Sequence, residues 1–237
     1  MRDVDGSGQL KIDLMTNKNI LVIAAHPDDE VIGAGGTIAA HAARGDHVFI
    51  AILTEGATVQ FPDDPDKISL KKQHALKAAE ILGARKVFAG DFPDQRLDVT
   101  PVLEVNRFIE QVAREVEPHV IYTHHFADLN SDHRVAYEAA AVAARPFSLP
   151  SFESLLCYAV DTLTHAGQGA PQFNVYSDIG GTLELKLKAM QVYETEARAY
   201  PHPRSVEAMR YMALRNGAMV GLGAAELFQS VLEIRKV

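Results

Sequence analysis

The 237-residue sequence predicts an α/β protein: a Rossmann-like, doubly wound, mainly parallel sheet in three α/β/α layers. Two observations predict it. Short apolar runs alternate with longer amphipathic stretches through the first two-thirds of the chain, and such strand–helix alternation builds a parallel sheet covered on both faces. The composition, 47% hydrophobic and 23% charged, suits a globular core, and the length suits one α/β domain.

The elements follow in order. Residues 19–25 (NILVIAA) read as a buried strand and 31–44 as the next helix. Residues 47–53 are a strand, and 69–82 a helix stopped by Gly83. Residues 86–89 make a short strand. Residues 101–116 make a helix with Pro101 in its first turn and Thr100 as its cap. Residues 119–123 are a strand, and 132–144 a helix ending before Pro146. Beyond this the pattern loosens: 154–160 and 173–176 read as strands, and 183–193, 205–216 and 225–233 as helices. Residues 1–17 read as a polar N-terminal tail, with Met15 as an alternative start, and 18–237 as a single domain.

The formal net charge of −8 argues against nonspecific nucleic-acid binding, which needs a basic face. Cys157 is the one cysteine, so no intrachain disulfide forms; that fits a cytoplasmic protein. No run of about 18 apolar residues suggests a transmembrane segment, and residues 1–14 lack an apolar signal core.

In open parallel sheets, ligands bind beyond the carboxyl ends of the strands. Two loops there are unusually polar. The first is His26-Pro27-Asp28-Asp29-Glu30. His26 and Asp29 are metal-ligand types at a spacing that lets one loop turn both toward a point. Asp28 lies between them, where a carboxylate can take a proton from an activated water. Glu30 reads as a helix cap or a supporting group. The glycines of the following GAGG segment (33–36) miss the dinucleotide spacing, so close helix–sheet packing explains them better.

The second loop, residues 124–134, holds three histidines and two aspartates in its first ten residues. His133 is the third expected ligand, and Asp132 is placed to orient a ligand. Spacing does not rank His124 against His125; one is expected in the cleft and the other packed. Two histidines and a carboxylate form a common catalytic zinc set, and the same set serves non-haem Fe2+.

AAHPDDEVIGAGGTIA together with DLNSDHR resembles the LmbE/PIG-L family of metal-dependent N-deacetylases, and FPDQRLD, ILG and YPHPRS extend the likeness from about residue 19 to 234. The resemblance implies an LmbE-like fold and a mononuclear zinc site on His26, Asp29 and His133, with Asp28 as general base and then proton donor. It implies a small N-acylated, sugar-like substrate, typically an N-acetylglucosamine derivative, and a homo-oligomer would be in keeping with it. The chain departs from some members at two points. Asn130 stands where several carry a histidine, and His125 or His202 is the candidate replacement imidazole. Lys71 stands where some carry a substrate-binding arginine; it keeps the charge and loses the bidentate fork. The polar loop 54–67 and the tail segment with His202 and Arg204 are expected to shape the pocket. The competing readings are an amidase on a sugar–thiol conjugate, a non-catalytic metal-binding protein and a dinucleotide-dependent oxidoreductase. The intact Asp28 argues against the second and the failed glycine spacing against the third.

Overall fold

The structure, a computed structural model, describes residues 17–62, 64–160 and 171–235. The tail expected at residues 1–17, with Met15, lies outside the described residues except for Asn17. The elements run β1 (Asn19–Ala24), α1 (Asp29–Ala43), β2 (His47–Thr54), α2 (Pro65–Leu82), β3 (Lys86–Phe92), α3 (Val102–Val116), β4 (Val120–His124) and α4 (Ser131–Ala143). They continue with β5 (Ser154–Tyr158), β6 (Val175–Asp178), α5 (Leu183–Val192), α6 (Val206–Ala218) and β7 (Ala225–Glu233).

The strands form one seven-stranded sheet in the order β3-β2-β1-β4-β5-β7-β6. β1 to β5 are parallel where they pair, and β7 runs antiparallel to both β5 and β6. Alternate residues of β1 feed two cores, as the pleat dictates. Ile20, Val22 and Ala24 pack with α1, α2, α5 and α6 on one face. Leu21, Ile23 and Ala25 pack with α3 and α4 on the other. Each large aliphatic side chain buried this way contributes about 1.5–3 kcal/mol. The two cores and the sheet between them are the three expected layers.

The strand order reverses at β1, which lies between β2 and β4. The loops leaving β1 and β4 therefore open side by side in the crevice where doubly wound sheets bind ligands. This topology unites two loops a hundred residues apart.

Four expectations change. Residues 225–233 are strand β7 and not a helix. Isolated propensity gave way to pairing: β7 fills the ladder between β5 and β6, and its alternation buries Phe228 in the core. Thr100 does not cap α3; Pro101 holds that position, and Thr100 Oγ1 donates to Arg96 O at 2.9 Å. α2 begins at Pro65, four residues early, because Asp64 caps it by accepting from Asp66 N. β3 runs on to Phe92, past the Gly90-Asp91 pair that interrupts its apolar run. The glycine segment does serve close packing: a Cβ on Gly33 would fall 2.2 Å from the Tyr158 ring, and one on Gly36 2.7 Å from Ile179.

Candidate metal centre

The loop between β1 and α1 is tightly determined. Asp28 adopts φ 118°, a conformation that L residues rarely hold, at a cost on the order of 1–3 kcal/mol. Its neighbours hold it there. Asp28 N donates to Glu30 Oε2 at 3.1 Å, and Glu30 Oε1 accepts from the buried Tyr193 hydroxyl. Asp28 O accepts from Val31 N and Ile32 N and so starts α1. Pro27 seats against Gly56, where φ is +66° and a Cβ would lie 2.3 Å from Pro27 Cδ; only glycine fits.

His26, Asp29 and His133 come together, each offering a ligand atom within 4.8 Å of the others. His26 Nδ1 lies 3.0 Å from Asp29 Oδ2, and His133 Nε2 lies 3.5 Å from the same oxygen. Ligand atoms on one tetrahedral zinc, at bond lengths of about 2.0–2.1 Å, sit roughly 3.3 Å apart. The residues thus fit such an ion. The outer nitrogen of each ring is held by a carboxylate: His26 Nε2 lies 3.1 Å from Asp132 Oδ2, and His133 Nδ1 lies 2.9 Å from Asp128 Oδ2. That is the arrangement that orients metal-binding histidines. Asp132 Oδ1 also accepts from Leu97 N at 3.0 Å, which fixes its carboxylate in turn.

His124, Asp128 and His133 also lie close enough to hold an ion. Hydrogen bonding assigns this second group to support. Asp128 Oδ2 engages His133 Nδ1, and His124 Nε2 accepts from Ala25 N at 2.9 Å. The His124 ring stacks on His133 at 4.0 Å. Burial, with His133 nearby, pushes His124 down to about 4, so it is neutral.

The charges of these groups reflect this crowding. Burial alone would raise Asp29, but His133 and the hydrogen bond with His26 hold it well below the usual carboxylate range. Burial would lower His26, yet its bonds to Asp132 and Asp29 push it up to about 10. Burial and the Asp29 charge push Asp28 well above the usual range, with Arg204 opposing. A divalent cation among these groups inverts that logic and favours the ionised carboxylate.

The cluster forms one wall of a cavity of about 200 Å³. Lys71, Asn130 and Arg204 line it, as do Gly56, Val59 and Gln60 from the loop after β2. Arg204 NH1 lies 3.3 Å from Asp28 Oδ2. Asn130 is the N-cap of α4: its Oδ1 accepts from Asp132 N, and its Nδ2 donates to Gln95 Oε1 at 3.2 Å. His125 and His202 are not among the lining residues. His125 Nε2 faces Gln229 Oε1 at 2.9 Å and its ring stacks on Phe126, while the exposed His202 accepts from Arg204 N. Neither ring of the neighbouring pair lines the cavity, contrary to expectation: His124 is buried behind His133, and His125 packs on Phe126.

Sequence reasoning missed Asp94, Gln95 and Glu196, all on the cavity wall. Asp94 Oδ1 lies 3.6 Å and the Gln95 amide nitrogen 2.9 Å from His26 Nε2. Both directly follow β3, so the strand-end rule would have found them had the strand been extended to Phe92. A larger hollow, about 560 Å³, lies at the opposite ends of β1, β4 and β5, lined by Lys18, Glu153 and Arg235; none of the ligand candidates reaches it. No described helix is long and apolar enough to cross a membrane.

Comparison with known proteins agrees with this architecture. Residues 21–144 match the family described as PIG-L, GlcNAc-PI de-N-acetylase. A diacetylchitobiose deacetylase of Thermococcus kodakarensis is 30% identical over 226 residues, covering 88% of this chain and 81% of that one. A 4-oxalmesaconate hydratase of Pseudomonas putida is 33% identical over 137 residues, 53% of this chain and 51% of that one. Among solved structures, the conserved protein TT1542 of Thermus thermophilus superimposes with a TM-score of 0.73 at 26% identity, covering 93% of this chain and 97% of that one.

Proposed function

The chain belongs to the PIG-L family, and from that premise we propose that it is a metal-dependent hydrolase that removes an N-acyl group, N-acetyl first, from an amino-sugar derivative. The observation that carries this reading is the position of Asp28. It is a buried carboxylate beside a three-residue ligand set, outside that set, and facing the cavity. A purely structural metal site has no use for such a group.

His26, Asp29 and His133 would hold the ion, zinc in our reading, with Fe2+ the other metal this donor set suits. When bound, such an ion lowers the pKa of water and polarises an acyl carbonyl. The chain's own residues do the rest. Asp128 and Asp132 fix the two rings in the tautomers that leave His133 Nε2 and His26 Nδ1 free to ligate. Asp28 takes a proton from the attacking water and returns it to the departing amine nitrogen. Arg204 and Glu30 hold that carboxylate and its backbone in place. Asn130 Nδ2 is a neutral donor on the cavity wall. The cavity is smaller than the roughly 300–1,000 Å³ of sites that engulf a whole ligand. It suits the acylamino end of a sugar, with the remainder reaching solvent.

The hydratase relative supplies the competing reaction, so the test compares the two. The holoenzyme is offered N-acetylglucosaminides and, separately, unsaturated tricarboxylates of the kind the hydratase's name gives. We expect acetate and free amine in equal amounts, lost on chelation and restored by zinc. Hydration of the tricarboxylate without amine release would overturn the proposal.

A further inference from the structure

Lys71, Glu196 and Arg204 form a charged wall of the cavity. Lys71 comes from α2, Glu196 from the turn after α5, and Arg204 from the loop before α6. Lys71 Nζ lies 2.7 Å from Glu196 Oε1, and both side chains are buried. Arg204 NH1 lies 3.3 Å from Glu196 Oε2, and Gln60 Nε2 donates to that oxygen at 3.4 Å. One oxygen of Glu196 thus answers Lys71 and the other answers Arg204. Burial would raise Glu196, but Lys71 holds it below the usual range.

The charge balance has a consequence for substrates. Glu196 bridges the two cations of this wall, Lys71 and Arg204. Neither cation meets a ligand without giving up its contact with Glu196. An anionic group entering here would have to prise Lys71 or Arg204 away from Glu196, leaving a buried carboxylate unpaired, which is costly. It would also meet the carboxylates of Asp28 and Asp94. Rejection by unpaired or like charge is a common source of specificity.

Resting on the deacylase reading, we propose that Glu196 determines specificity: it neutralises Lys71 and Arg204, so the cavity takes uncharged N-acylated amino sugars and turns away those with a phosphate or carboxylate beside the acylamino group. Without Glu196 the same wall would carry one more net positive charge and would favour the anionic sugars.

The test uses the holoenzyme and two matched sugars, methyl N-acetylglucosaminide and N-acetylglucosamine 1-phosphate. The quantity read is the ratio of kcat/KM for the neutral over the anionic sugar. The wild type should favour the neutral sugar by tenfold or more, as expected for a charge meeting paired carboxylates in a partly buried site. Glu196→Gln should lower that ratio at least tenfold. Glu196→Asp, which keeps the charge, should stay near wild type. The charge-balanced Lys71→Gln/Glu196→Gln double variant should also keep the neutral preference, which a purely structural strut would not predict. A wild type that uses both sugars equally, or a ratio unmoved by Glu196→Gln, overturns the proposal, and the wild-type arm decides even where a variant fails to fold. If the wild type deacylates neither sugar, the deacylase reading fails on its own. The preference is then read from calorimetric binding of the two sugars, and equal binding overturns it too.

Discussion

Asp28→Asn isolates the proposed proton transfer. The change is nearly isosteric at a residue only 2% exposed, and asparagine tolerates positive φ better than most residues. The backbone bonds from Asp28 N to Glu30 and from α1 to Asp28 O do not involve the side chain, so the start of α1 persists. Arg204 loses a partner at 3.3 Å but keeps Glu196 at the same distance. None of the three ligand candidates is altered. What disappears is a proton acceptor at the cavity wall. General acid–base groups typically contribute 10²–10⁴-fold, or about 2.7–5.4 kcal/mol at 1.36 kcal/mol per tenfold. We expect kcat to fall by that factor, with KM within about threefold of wild type and metal content unchanged. Amine release under saturating substrate measures the first, and elemental mass spectrometry the last. Retention of more than about a tenth of the wild-type kcat would refute the role. Loss of the metal along with activity would move Asp28 into the ligand set.

Further predictions follow from the same geometry. With His26 pushed up to about 10 by its bonds to Asp132 and Asp29, it carries a proton near neutral pH that an incoming ion must expel. Metal affinity should therefore fall about tenfold per unit drop in pH below that value. Calorimetry in two buffers of different ionisation enthalpy should show at least one proton released per ion; no buffer dependence would contradict it. Gly33→Ala drives a methyl to 2.2 Å from the Tyr158 ring. Overpacking of this kind costs about 1–3 kcal/mol, so Tm should drop by roughly 2–12 °C, and an unchanged Tm would show that the helix slides freely. Glu30→Leu leaves the Asp28 N–H and the Tyr193 hydroxyl without their acceptor. It should lower kcat tenfold or more, whereas Glu30→Gln, which keeps an acceptor for Asp28 N, should stay within about threefold; equal losses would dissociate Glu30 from the positioning of Asp28.

What the sequence discloses depends on how local the signal is. NILVIAA ends in His-Pro, so the first loop announces itself: an apolar run fixes the strand, and the abrupt change to imidazole and carboxylate fixes its mouth. The 124–134 loop reads the same way. The pairing of these loops follows from strand order, since β1 and β4 are neighbours at the reversal point. Asp94 and Gln95 were hidden because Gly90 and Asp91 break the apolar run of β3, which placed them within a loop rather than at a strand end. AELFQSVLE carries enough helix formers to pass for an amphipathic helix, and only pairing of β7 with β5 and β6 decides otherwise. Glu196 has no local signal at all. Its meaning comes from Lys71 and Arg204, which the fold brings from distant elements. The resemblance marks Asn130 only by the histidine it lacks; the structure gives its oxygen a task of its own, capping α4 so that Asp132 and His133 begin the helix in register.

The most direct test of the centre is to titrate metal-free protein with zinc and follow bound metal and acetate release on the same samples. Activity should rise linearly to one ion per chain and stop there, and His133→Ala should bind no ion at the concentrations that saturate the wild type. Full activity in protein shown to be metal-free, or undiminished binding by His133→Ala, would contradict a catalytic ion held by His26, Asp29 and His133.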